Sequence, residues 1–390
     1  YPQRDRIGFD DVILSEEGRP HIGAVDDYDI FLADQGFAGQ QFAHGMNNND
    51  YLNRPWHLPE RCHVTNWATQ AMCRTIKRRD PTRPGFWYLS YQPPHPPLIP
   101  LADYMALYRE LGAEPPLEAA WSADPERLPH ALKMVRDFYA ALPPPVLAEA
   151  RRAFMALCTH IDHQLRAVIG TLREEGLLDD TVILFTSDHG DMLGDFGLYA
   201  KRQFLESSAQ VPMILVGAKD DPRTPPGTVD DRLVGWADVM PTLLELAGVR
   251  SPPTVEGRSM VTGERRATLY GEVGETASAV RMMHDGRHKL IWYPAGNHCQ
   301  LFDLEADPSE LVDVAAQPAY ADVRERLEAA LVAELYGSDL EQGWVQGGRL
   351  TGFDPGPWTA RADRSLKGQR GIHYPQPPEL APDQMVGFPG

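Results

Sequence analysis

The sequence predicts an α/β fold: a mostly parallel sheet sandwiched by helices, followed by a small antiparallel subdomain. Three observations predict it. A long amphipathic pattern closes at Gly176 and runs almost at once into the apolar stretch Thr181–Ser187, which is half of a βαβ unit. After about Gly263 the pattern changes to short strand-like runs joined by turns. The chain has 390 residues, 43% of them hydrophobic, enough to bury one large core and a smaller one.

Residues 1–60 are rich in Gly, Asn, Asp and Pro and read as loops and short helices. A helix is predicted over Thr65–Arg79 from the spacing of Trp67, Ala68, Ala71, Met72 and Ile76, ended by Asp80-Pro81. Gly85–Tyr91 is a continuous apolar run bounded by turn formers and reads as a buried strand. Its exit, Gln92–Pro97, holds four prolines and cannot be regular structure. Ala102–Pro145 reads as a Pro-interrupted insertion with helical pieces. An amphipathic helix follows over Glu149–Glu175, carried by Phe154, Leu157, Ile161, Leu165, Val168 and Leu172. Val211–Val216 reads as a strand and Trp236–Ala247 as a helix closed by Gly248. In the subdomain, strands are predicted over Ala279–Met283, His288–Tyr293 and Gln300–Leu304, with a helix over Tyr320–Leu335. Beyond Ser338 the chain is rich in Gly and Pro and reads as an extended arm. The division expected is a main domain over 1–262, the subdomain over 263–337 and a tail over 338–390.

A formal net charge of -18 and a pI near 5.1 exclude nucleic acid and anionic membrane as natural partners. An anionic substrate stays compatible, because one bound cation inverts the local field. No apolar run approaches the ~20 residues of a membrane span. The four cysteines, Cys62, Cys73, Cys158 and Cys299, show no zinc or disulfide spacing, which points to a reducing compartment, the cytoplasm. The chain opens at Tyr1 in polar, loop-like sequence and reads as part of a longer protein.

Asp188-His189-Gly190-Asp191 stands at the exit of the Thr181–Ser187 strand, where parallel sheets gather ligands. A carboxylate and an imidazole there can reach one divalent cation, with Gly190 allowing a sharp turn. An Asp capping the next element beside a His that satisfies a loop is an equal reading. Lys201, thirteen positions after Asp188, and His95, in the proline-locked loop, could converge on the same sheet edge. That set suits transfer at a tetrahedral oxyanion, where charge stabilisation is most of the work. Taken singly, Lys201 reads as a solvated surface residue and His95 as packing in a turn. His160 and His163 flank Asp162 at helical spacing, close enough for a metal pair, although a polar helix edge is the stronger reading. Thr65 reads as a helix N-cap, and Trp358 as part of an arm that either reaches a neighbouring subunit or is disordered.

With those residues on the page, the stretch Ile161–Pro212, containing TVILFTSDHGDMLG, closely resembles the sulfatases of the alkaline phosphatase superfamily. The likeness is nearest to the branch of choline-sulfatase-like enzymes, arylsulfatases and phosphonate monoester hydrolases. GFDDVILSEE from Gly8, FWYLSYQPPHPP from Phe86, ADVMPTLLELAGV from Ala237 and LFDLEADPSEL from Leu301 lie collinear with it. The resemblance implies an alkaline-phosphatase-like fold and hydrolysis of an organic sulfate ester, or of a phosphonate or phosphodiester on the same scaffold. By it, Asp188 and His189 are metal ligands, Lys201 contacts the charged oxygens of the substrate, and His95 hydrogen-bonds the substrate and assists the leaving group. Oxygen ligands with one imidazole suit Ca²⁺ or Mn²⁺. It also implies that the Ala102–Pro145 insertion grips the alcohol portion and that the tail can join a homo-oligomer.

The sequence departs from the family pattern in specific places. The family's paired aspartates after an N-terminal strand, and its Cys/Ser-x-Pro-x-Arg source of formylglycine, do not occur among these residues. The nucleophile segment is therefore expected to lie outside this sequence. A non-catalytic scaffold is the remaining alternative. Asp10-Asp11 follows no buried strand and is not assigned to the metal. Phe196 stands where many relatives have His, and Gln210 where a basic residue is common.

Overall fold

The structure, a computed structural model, describes residues 6, 8–16, 26–46, 49–139 and 141–359. The helices are α1 Asp27–Asp34, α2 Val64–Lys77, α3 Ala102–Leu111, α4 His130–Phe138, α5 Pro144–Glu174, α6 Glu206–Ala209, α7 Val239–Leu246, α8 Ala321–Glu334 and α9 Ser338–Glu341. The strands are β1 Ile183–Thr186, β2 Met213–Val216, β3 Leu269–Val273, β4 Val280–His284, β5 His288–Tyr293, β6 His298–Asp303, β7 Val345–Gln346 and β8 Arg349–Leu350. They fall into two compact units. Of the described residues, those up to Pro115 with Leu142–Leu178 form the first, and Pro116–Ala141 with the residues from Asp179 onward form the second.

The first unit is helical. Pro144 and Pro145 open α5, a position where the missing amide of proline costs nothing. The helix ends in a Schellman motif: Gly176, at φ 66°, donates to Arg173 O while Leu177 N donates to Leu172 O at 2.8 Å. α2 and α3 pack on α5. Tyr28, Leu32, Cys62, Val64 and Trp67 form the core between α1 and α2. His63, not Thr65, caps α2: its Nδ1 accepts from Thr65 N. The Gly85–Tyr91 run is not a strand. Among the described residues nothing pairs with it, and a strand needs a neighbour for its amides and carbonyls. Phe86 and Tyr88 are 66% and 65% exposed, and Phe86 stacks on Phe9.

The second unit carries the sheets. β1 and β2 pair antiparallel, Ile183 opposite Val216 and Thr186 opposite Met213, so the parallel pairing expected from sequence is corrected. A parallel partner needs a crossover of a dozen or more residues, usually helical. The connection here, residues 187–212, is long enough but holds only a short 3-10 turn, Asp195–Gly197, and the four-residue α6, with no crossover helix, and it turns back on itself. β3 to β6 form a four-stranded antiparallel sheet in sequence order, as the subdomain reading anticipated, with β3 an unforeseen edge strand.

That sheet alternates as a strand buried on both faces must. Leu290, Trp292 and Leu301 face Leu327 and Leu331 of α8, while Ile291, Tyr293 and Phe302 face Met192, Leu198, Leu205 and Leu132. The expected extended arm is corrected over residues 338–359. Trp344 is buried against Trp292 and stacks on Phe353, which bridges Ala295. Asp339 of α9 takes both Nε and Nη2 of the buried Arg281. Trp358 meets His130 of this same unit edge-on at 4.9 Å. The rest of the predicted arm, 360–390, lies outside the described residues.

Candidate metal centre

β1 delivers Asp188 and His189 where its ladder stops. Ser187 Oγ donates to the His189 carbonyl at 2.9 Å, and His189 N donates to Asp188 Oδ1 at 3.0 Å, so the tip is folded on itself. Trp236 Nε1 donates to Ser187 O and fixes the tip from a third element. His189 Nδ1 lies 2.7 Å from the Gly190 carbonyl. A carbonyl oxygen only accepts, so Nδ1 carries a proton and Nε2 is the ring atom left to face a ligand. That Nε2 stands 3.2 Å from Asp188 Oδ2.

The pair is satisfied either by a proton on Nε2 shared with the carboxylate or by a cation that both atoms ligate. Two ligands each ~2.2 Å from one ion at right angles stand ~3.1 Å apart, which is the spacing found. One carboxylate and one imidazole fit a hard or borderline cation and form part of its shell. No group of three or more His, Cys, Asp or Glu side chains able to hold a metal ion occurs among the described residues.

Gly190 has a different reason from the one expected. Its φ is not left-handed. Instead, a Cβ there would lie 2.2 Å from the Ser207 carbonyl, and Gly190 N donates to Ser208 O at 2.7 Å. Close approach, not a sharp turn, demands glycine. Asp191 Oδ1 accepts from Leu193 N and caps the next turn.

Lys201 ends a loop of unusual backbone. Leu193, Phe196, Ala200 and Arg202 are all left-handed, with φ from 44° to 81°, a region that costs a residue bearing a Cβ. The loop closes where Met192 N donates to Ala200 O at 2.9 Å, which ties Lys201 to the segment leaving His189. Phe196 is a core residue packed on Trp121 at 4.7 Å, with its amide bound to Leu117 O. Gln210 is exposed behind α6.

His95 belongs to the first unit. There its Nδ1 donates to Pro96 O at 2.6 Å, the same arrangement as at His189. His160 and His163 do not form a metal pair. His160 is buried with Nε2 on Asn66 Oδ1, and His163 Nδ1 meets Tyr104 OH at 3.0 Å. Burial, with repulsion from His160, lowers His63 to about 3, and burial, with repulsion from His163, lowers His160 to about 4. Sequence reasoning missed Ser207, Ser208, Asp195 and Trp236, which hold the tip through long-range contacts that no local pattern encodes.

The fold is shared with alkaline-phosphatase-like sulfatases. It superposes on the phosphonate monoester hydrolase of Silicibacter pomeroyi with a TM-score of 0.66 at 23% identity, covering 78% of this chain and 67% of that one. That likeness defines the class of fold. The chain belongs to the sulfatase family: the family model described as Sulfatase matches residues 21–249, and that of the N-sulphoglucosamine sulphohydrolase C-terminal region matches 194–335. Membership assigns it to the hydrolases of sulfate esters. It is 31% identical over 368 residues to an arylsulfatase of Clostridium perfringens, covering 90% of this chain and 76% of that protein. It is 36% identical over 253 residues to a choline-sulfatase of Rhizobium meliloti, covering 60% and 47%.

Proposed function

We propose that Asp188 and His189 hold one divalent cation, Ca²⁺ or Mn²⁺, and that this chain carries the C-terminal part of a sulfatase centre acting on a small organic sulfate ester. The observation that supports it is the 3.2 Å separation of Asp188 Oδ2 and His189 Nε2 with Nδ1 already committed. When bound, the cation supplies charge neutralisation on the oxygens of the transferred group. Lys201 adds a second positive charge toward those oxygens, from a loop whose ends are tied by the Met192–Ala200 bond. His95 hydrogen-bonds the substrate and assists the leaving oxygen. Its support is the family resemblance and a ring whose tautomer is set by Pro96 O.

Mn²⁺ binding to the 390-residue chain, read by electron paramagnetic resonance, tests the cation assignment. Asp188→Asn and His189→Ala are each expected to weaken it by about a hundredfold or more. Unchanged affinity in either variant removes that residue from the site. Cys/Ser-x-Pro-x-Arg is absent from the sequence, so these residues alone are expected to release no sulfate. Measurable turnover would show that the nucleophile lies within them. In the protein that carries the nucleophile, rates on matched aryl sulfate and aryl phosphonate esters separate the sulfatase from its phosphonate-hydrolysing alternative. The homo-oligomer reading of the tail predicts a smaller mass in solution once residues 360–390 are removed.

A further inference from the structure

The sheet face turned toward residues 192–205 is apolar at Val280, Ile291, Tyr293 and Phe302. Lys289 of β5 has the same parity as Ile291 and Tyr293 and is only 1% exposed. An ammonium buried there without partners would cost several kcal/mol or lose its proton. Its partners are two carboxylates. Lys289 Nζ bonds Glu206, the first residue of α6, and pairs with Glu310 Oε1 at 2.7 Å. Glu310 is itself 1% exposed, and its Oε2 accepts from Glu206 N at 2.6 Å. Trp121 Nε1 donates to the Glu310 carbonyl and holds this corner from another side. Glu206 is thus gripped twice, by side chain and by main chain.

From α6 the contacts continue to the strand tip. Ser208 O accepts from Gly190 N at 2.7 Å, and the Ser207 carbonyl occupies the space beside Gly190 Cα. Ser207 Oγ donates to Asp195 Oδ2 at 2.7 Å, so the far side of the Lys201 loop is fastened to the same short helix. Gly190 in turn supplies the carbonyl that sets the ring of His189. Every link from Lys289 to the imidazole is a hydrogen bond, an ion pair or a chain neighbour. Removing the ammonium would leave Glu206 and Glu310 as like charges in contact, at the point that anchors α6.

We propose that Lys289 is a positioning residue for the Asp188–His189 pair, fixing α6 through Glu206 and Glu310 so that Ser207 and Ser208 clamp Gly190. The proposal rests on the cation reading of that pair. The test compares Lys289→Met, Lys289→Arg and a control in α8, the helix packed on the opposite face of the sheet, Leu331→Ala. Hydrogen exchange at the Gly190 amide and Mn²⁺ affinity are read in each, beside overall stability. Lys289→Met is expected to lose about tenfold in Gly190 protection and about tenfold in Mn²⁺ affinity, the range for groups that orient a metal ligand. Lys289→Arg keeps the charge and recovers both to within about threefold. Leu331→Ala lowers stability and moves neither. If Lys289→Met does not fold, Glu206→Gln keeps the shape of the contact and is expected to move both readouts the same way, by about threefold. A Gly190 amide as protected in these variants as in Leu331→Ala overturns the proposal. If the unaltered chain takes up no Mn²⁺, the cation reading fails, and Gly190 exchange alone decides the clamp.

Discussion

The two-stranded ribbon β1–β2 and the four-stranded sheet β3–β6 are made of similar apolar sequence but live in different surroundings. In the sheet, β5 is buried from Lys289 to Tyr293, and the outer surface is covered by α8, α9 and Trp344. In the ribbon no residue of β1 is fully buried, and Ile214 and Val216 of β2 are 54% and 51% exposed. The candidate chemistry sits at the end of the less covered element. Among the described residues, the strand tip is held by contacts from Trp236 and the Ser207–Ser208 segment. Buried charged pairs, Arg281 with Asp339 and Lys289 with Glu206 and Glu310, mark where the sheet is tied to other elements.

Four measurements would break or sharpen that contrast. The largest effect is expected at the arm. Arg281→Met strands Asp339 as a buried charge and should cost about 3–5 kcal/mol in urea unfolding. A loss below about 1 kcal/mol would mean that the arm is held by Trp344 alone. Next, Leu290→Ala, at a fully buried position, should cost about 2–5 kcal/mol by the same measurement.

The third test uses acid. His44 and His160 are held near 4 and His63 near 3, chiefly by burial, with nearby histidines adding repulsion. These folded-state values lie below the unfolded value near 6.5. Their contribution is therefore complete above about pH 6.5 and is lost as pH falls toward the folded values. Asp29, raised to about 6 chiefly by burial, has the opposite sign and offsets part of the loss. At the sheet, burial also lowers His284 and His298, but Asp285 and Asp313 pull them back. Hydrogen exchange, corrected for intrinsic rates, should show α2 and α5 weakening before β4 and β5 between pH 7 and 5. His63 alone accounts for roughly 2 kcal/mol at pH 5. Equal loss in both places would contradict the assignment. The smallest effect is expected on the ribbon, where Ile214→Ser should change stability by no more than about 0.5 kcal/mol. A loss comparable to that of Leu290→Ala would show the ribbon to be covered.

Local pattern carried the elements that seal themselves. β5 matches its predicted range, and α2 and α8 differ from theirs by a residue or two at each end. α5 began earlier than predicted because Pro144 and Pro145 read as insertion when they are helix openers. Pairing direction was not legible, since it depends on the path of residues 187–212 and not on the apolarity of either strand. The Gly85–Tyr91 run shows the same limit, as apolar continuity says nothing about whether a neighbour exists. β3 was hidden because Gly271 interrupts its pattern, and that glycine is required where the Phe204 ring would meet a Cβ at 2.6 Å. Of the candidate site, the placing of Asp188 and His189 at a strand end was legible because they adjoin in sequence just after an apolar run. The residues that hold them, Ser207, Ser208, Glu206, Lys289 and Glu310, come together only in space.

The ten residues from Leu193 to Arg202 set hardiness against purpose. A breeder selecting this protein for heat tolerance alone would find glycine or asparagine at Leu193, Ala200 and Arg202 an easy gain of about 1 kcal/mol apiece. Each exchange would also slacken the turn from which Lys201 projects. Variants toughened at those places should therefore melt later and, on the role proposed for Lys201, hold an oxyanion less tightly.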